Sequence, residues 1–93
     1  MSHAPAKPRF LMYSRSGCGL CDEMLAALTA MPAVHGHAVD VLDVDVDVDA
    51  DPAARIRYGH KVPVLLFAGE LVCHGHLDRE EVDKALAHHL RPV

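Results

Sequence analysis

Tryptophan is absent from this 93-residue chain and aromatics make up only 4% of it, so Val, Leu, Ala and Met must fill the interior. Long hydrophobic runs are missing as well. The apolar stretches are a handful of residues each, far short of the ~20 that a helix needs to span a bilayer. No basic segment leading into an apolar one opens the chain, so an export signal is not expected and the cytoplasm is the expected compartment. Cysteine is sparse. Three residues, an odd number, argue against a secreted disulfide framework and for reactive or metal-binding thiols. A basic stripe is lacking too. The formal charge is −4, but six of the 13 acids (Asp40, Asp43, Asp45, Asp47, Asp49, Asp51) crowd into one short stretch, leaving the rest slightly positive. Without clustered Lys and Arg, nucleic acid is not an expected partner.

What is present suits one small domain. Apolar residues form 51% of the chain, ordinary for a globular protein with a modest core. Residues 1–8, with Pro5 and Pro8, read as a flexible leader, and residues 9–93 as the domain. Phe10 to Ser14 reads as a strand and Ser16-Gly17 as a turn. A helix follows from about Gly19 to Ala30, because Cys21, Met24, Leu25 and Leu28 recur at i, i+3, i+4 and i+7. Pro32 ends it. Ala38 to Leu42 reads as a second strand. The Val-Asp alternation then runs on to Asp49, but its parity slips at Leu42-Asp43, which requires a bulge or a strand end near Asp43. A strand lined with carboxylates also suits a sheet edge.

Asp51-Pro52 signals a short helix with Asp as N-cap, ending by Gly59. Pro63 to Phe67 and Leu71 to His74 read as a hairpin turning at Ala68-Gly69-Glu70. The last helix carries a capping box (Asp78, Glu81), a hydrophobic staple (Leu77, Val82) and a buried stripe of Val82, Ala85, Leu86 and Leu90. The order β-α-β-α-β-β-α implies an α/β fold: a small mixed four-stranded sheet covered by helices. Its first two strands should be parallel and its last two antiparallel.

Cys18-Gly19-Leu20-Cys21 lies where the first strand gives way to the first helix. Two thiols three residues apart at a helix start can close a disulfide. The first also meets the partial positive charge of the helix N-terminus, which stabilises a thiolate nucleophile. Cys18 is therefore the candidate nucleophile and Cys21, on the buried face, the resolving thiol. A zinc half-site or a structural pair uses the same spacing and stays open at this point. Arg15 and Lys61 would add positive potential near Cys18, while Asp22 and Glu23 oppose it.

Together, Tyr13 to Cys21, Asp51-Pro52, Arg57 to Val64 and Gly75-His76-Leu77-Asp78 resemble the short glutaredoxin-like family of the thioredoxin-fold superfamily, over roughly residues 9 to 91. The resemblance implies a glutaredoxin-type fold and a CxxC thiol–disulfide oxidoreductase, with Cys18 and Cys21 catalytic, contributing to cell redox homeostasis. It implies that Pro63 is cis, with the Val62 backbone left free to pair with an extended peptide or glutathione. It also assigns Gly75 and Arg15, with Val62 and Pro63, to substrate binding. Glutathione is then a co-substrate rather than a bound cofactor, and no resident cofactor or metal is implied. The partner is a disulfide-bearing protein or glutathione, met by a monomer. Two positions depart from the wider superfamily: Gly19-Leu20 replaces Pro-Tyr or Gly-Pro between the cysteines, and Met12 stands where thioredoxins keep a buried aspartate. The alternatives are a thioredoxin-fold binding or regulatory module without turnover, and a metal or iron–sulfur protein using the CxxC.

Other titratable groups read more plainly. Cys73 is a strand cysteine whose place in the alternation puts it or its neighbour in the core. The aspartate run fails as a calcium loop in every register, since neither Gly at position six nor Glu at twelve is present. The eight histidines are scattered, and His88-His89 suits the C-terminal end of the last helix. His60, shortly before Pro63, would lie within reach of a bound substrate.

Overall fold

The computed structural model describes residues 7–46 and 52–90. The expected leader falls largely outside this range, as do Asp47 to Asp51, including the expected N-cap Asp51. Strand β1 (Phe10–Ser14) is followed by α1 (Gly19–Thr29), a single 3-10 turn at Pro32–Val34, and β2 (Val39–Asp43). Helix α2 (Pro52–Tyr58), the hairpin strands β3 (Val64–Phe67) and β4 (Glu70–His74), and α3 (Arg79–Leu90) complete the order. The sheet order is β2-β1-β3-β4. Strand β1 runs parallel to β2 and antiparallel to β3, and β3 pairs antiparallel with β4. Among the described residues no helix is long and apolar enough to cross a membrane.

The two central strands are apolar on both faces because both faces are covered. On one face Phe10 and Met12 of β1 and Leu65 and Phe67 of β3 join Cys21, Met24 and Leu28 of α1 and Val82 and Leu86 of α3. On the other, Tyr13, Val64 and Leu66 join Val44 and Ala54 of α2. Phe10 and Phe67 are fully buried with ring centroids 4.4 Å apart. Each contributes roughly 1.5–3 kcal/mol by leaving water. Tyr13 stacks on Tyr58 of α2 at 5.2 Å, which seats that short helix. Val34 of the 3-10 turn is also buried, a core residue that a three-residue turn gives no periodicity to reveal.

The parity slip resolves as a strand end. Strand β2 stops at Asp43 and the chain turns through Val44–Val46, burying Val44 and leaving Val46 exposed. As expected for a carboxylate-lined strand, β2 is an edge, and Asp40 takes a two-pronged bond from Arg9 at 2.8 Å for each prong.

The hairpin turns on Ala68 (φ 52°) and Gly69 (φ 82°), both in the left-handed region that a two-residue turn of this hand requires. Register slips once, with Leu66 opposite Leu71 but Leu65 opposite Cys73. The extra residue, Val72, is a bulge, and it lets both Val72 and Cys73 pack against the first core cluster instead of alternating.

Helix α3 starts as its sequence signals, with the Glu81 N–H donating to the Asp78 carboxylate at 3.1 Å. The Glu81 carboxylate accepts from Lys84 at 3.3 Å. The expected Leu77–Val82 staple lies in the first cluster. The Leu90 side chain lies outside the described part. Gly59 differs from expectation in its reason. Its φ is not in the left-handed region, but a Cβ there would stand 2.5 Å from the Arg55 carbonyl oxygen, to which the Gly59 N–H already donates.

Candidate functional site

The chain leaves β1 at Ser14 and reverses through a turn closed by the Cys18 N–H donating to the Arg15 carbonyl at 3.2 Å. Gly17, at φ 77°, holds the position in that turn where other residues are strained. Cys18 is then the N-cap of α1, in extended backbone conformation, and its sulfur accepts from the Cys21 N–H at 3.1 Å. A cysteine sulfur thus does the work that Ser or Asp performs at other helix starts. Cys18 and Cys21 are joined in a disulfide, their Cα atoms 5.2 Å apart. The two sulfurs are not equivalent. Cys21 is 2% exposed in the core against Met12 and Met24, while Cys18 is only half-buried at the surface end of the pair.

No polar or charged residue among the described ones is buried, and Met12, at the position under the pair, is 1% exposed. Among the described residues, the disulfide therefore rests on apolar packing with no buried carboxylate beneath it.

The Val62–Pro63 peptide bond is cis, and Pro63 is fully buried. Val62 packs against both core clusters, the first of which also receives Cys18. The Pro63 carbonyl accepts from the Gly75 N–H at 2.8 Å, so Gly75, at φ 79°, fastens the end of β4 to the proline bend. That amide is thereby committed, and Gly75 positions its neighbours rather than offering a free donor. The same residue also borders helix α1. Gly75, His76 and Leu77 line a shallow groove of about 210 Å³ whose opposite wall includes Leu20 and Met24 of α1. Leu20, between the two cysteines, is 43% exposed, an apolar side chain at the mouth of the site that no periodicity singles out.

Arg15 is engaged with the acidic run. Its guanidinium is held by the Asp45 carboxylate, at 2.7 Å from Nε and 3.4 Å from Nη2, with Arg55 on the same carboxylate at 3.9 Å. The hydrogen bond that Arg15 donates to Asp45 raises the Arg15 pKa and lowers that of Asp45. The acidic run also braces the turn. The Asp43 carboxylate accepts from the Ser16 N–H at 3.1 Å and from the Asp45 N–H at 2.8 Å, and the Val44 N–H donates to the Ser14 carbonyl. Lys61 and His60 are exposed surface residues.

Cys73 is unpaired and half-buried. Burial raises its pKa, with a backbone hydrogen bond from Asp78 opposing the rise. It lines a broader depression of about 590 Å³ that shares His76, Leu77 and Arg79 with the groove beside Leu20. The two depressions adjoin through those three residues.

No curated protein matches the chain. Among solved structures, it is similar to the solution NMR structure of protein Ne2328 from Nitrosomonas europaea, at 25% identity and a TM-score of 0.67, covering 90% of this chain and 96% of that one. Protein XcR50 from X. campestris is similar at 23% identity and a TM-score of 0.53, with 85% and 96% covered. Oxidised glutaredoxin 2 from Chlamydomonas reinhardtii shares the fold at 22% identity and a TM-score of 0.50, with 88% and 74% covered. The glutaredoxin-like domain family matches residues 9–87, which span β1 to most of α3 and include both cysteines, the proline bend and Gly75. The chain belongs to the glutaredoxin-like domain family.

Proposed function

We propose that this protein is a dithiol–disulfide oxidoreductase contributing to cell redox homeostasis. One observation carries the reading: the unequal exposure of a bonded pair at a helix start, with Cys18 reachable and Cys21 2% exposed. In the reduced protein the Cys18 thiolate, facing the N-terminal N–H groups of α1, attacks one sulfur of a substrate disulfide. The substrate S–S bond breaks, one half leaves as a thiolate, and the other half stays on Cys18 as a mixed disulfide. Cys21, deprotonated, then attacks the Cys18 sulfur. The second half leaves, and the Cys18–Cys21 disulfide is closed. Two electrons have passed from the protein dithiol to the substrate. An external thiol, glutathione or a protein reductase, restores the dithiol.

Val62 and Pro63 form the docking edge for the substrate backbone, Gly75 holds that edge in place, and Leu20 supplies apolar contact beside the cysteines. A disulfide-bearing protein or glutathione is the substrate, and the cytoplasm, where glutathione is abundant, is the setting for the monomer. The experiment is trapping. Reduced Cys21→Ser, mixed with a glutathione-containing disulfide, is expected to accumulate one glutathione on Cys18 by mass spectrometry, while Cys18→Ser accumulates none at residue 21. Equal labelling of both variants, or no labelling of Cys21→Ser, contradicts the proposal.

A further inference from the structure

Away from the cysteines, the hairpin turn and the end of α3 bring three metal-binding side chains together. Glu70 opens β4 directly after the turn, and His88 and His89 lie in the last turn of α3. One donor atom from each of the three lies within 4.8 Å of the other two, the one such trio of His, Cys, Asp or Glu among the described residues. We propose that Glu70, His88 and His89 form a surface site for one divalent transition cation of the zinc class.

The donor set suits such an ion. Two imidazoles and one carboxylate match the preference of Zn²⁺ and its neighbours, with water completing the coordination. The set is also partly built. His89 is the fixed donor: its ring stands edge-on to the buried Phe67, with centroids 5.5 Å apart, and its side chain is only 20% exposed. Glu70 is already drawn to it, Oε2 lying 2.7 Å from His89 Nε2. The His88 ring stands nearly perpendicular to that of His89 at 5.0 Å.

Donors around a tetrahedral Zn²⁺ sit about 3.3 Å apart, given bonds of about 2.0–2.1 Å. The Glu70–His89 contact must therefore open slightly and His88 must close in. Glu70, with its side chain 66% exposed, and the exposed His88 are free to make those shifts. A cation between Glu70 and His89 replaces the proton that now bridges them. Lys84, on the same surface depression, carries a positive charge, but it is paired with Glu81 at 3.3 Å.

Zn²⁺ titration into the oxidised full-length protein at pH 7.5, followed by calorimetry, tests the site with Cys18 and Cys21 unavailable as ligands. One ion per chain is expected, and Glu70→Gln and His88→Gln should each weaken binding by about tenfold or more, the scale set by loss of metal-site groups. Both positions are exposed, so both variants are expected to melt like the parent without metal, which separates lost ligation from lost folding. Binding that is unchanged in both variants, as Zn²⁺ held at Cys73 or at another histidine would give, overturns the proposal. So does the absence of binding by the parent below about 1 mM, an affinity of only ~4 kcal/mol.

Discussion

At Cys18 a single sulfur both caps a helix and closes a disulfide with Cys21, and the residues that hold it are ones whose role the sequence disguises. Arg15 reads as a cation aimed at the thiol, yet Asp45 takes up its guanidinium, a pairing across thirty residues that depends on where β2 ends. Asp45→Asn should loosen the Ser16 turn. The sign of its pH dependence follows from the lowered Asp45 pKa. The pairing stabilises the fold above the carboxyl's unfolded value of ~3.9 and is lost as pH falls through the lower folded value. The melting temperature of the parent should therefore exceed that of Asp45→Asn at pH 7, and the gap should vanish in acid and shrink in high salt, as expected of an exposed pair. A gap that persists at pH 2 contradicts this placement. Cys73 gives a second test. Since burial raises its pKa, its alkylation at pH 8 should be several-fold slower in the native protein than after unfolding in urea, where the ordinary thiolate fraction returns. Equal rates would show that the thiol is not shielded. The third thiol was legible as a strand cysteine, but its neighbour Val72 was not separable from it, because the bulge that buries both leaves no mark on the alternation.

Among the elements, those with a strong local code were the most legible. Helix α1 was expected from Gly19 to Ala30 and runs from Gly19 to Thr29, because four apolar positions and a following proline leave little freedom at either end. The slip in the Val-Asp run requires a bulge or a strand end near Asp43, and the strand end is what forms, since a period of two cannot cross it. Gly59 was anticipated as a helix terminator for the wrong reason. Close approach to Arg55, rather than backbone handedness, demands glycine there. Gly59→Ala should accordingly cost about 1–3 kcal/mol, the scale of overpacking a tight contact. In a domain of this size, that lowers the melting temperature by roughly 4–8 °C for each kcal/mol. An unchanged melting temperature would mean that α2 slides without cost. The His88–His89 pair shows the opposite limit. Adjacent histidines at a helix end look like dipole complements, and only the hairpin, arriving from 19 residues before His89, supplies Glu70 as a third donor.

For the whole molecule, the element order and the strand directions at the two pairs were readable, whereas the central pairing of β1 with β3 was not. That pairing joins segments more than fifty residues apart, and no turn or crossover signal dictates it. It shapes the candidate site. By making β1 and β3 neighbours it brings the proline bend at the start of β3 to the end of β1 where the cysteines begin, and Gly75 then ties β4 to the same corner. The two-faced core follows from the same arrangement. The claim at its centre is that the fold activates Cys18, and the pH dependence of its alkylation tests this most directly. In the reduced Cys21→Ser, Cys73→Ser variant, the rate of iodoacetamide labelling should reach half its plateau well below the ~8.5 of a free thiol. A midpoint at or above that value would contradict the account and leave Cys18 an inert partner in a structural pair.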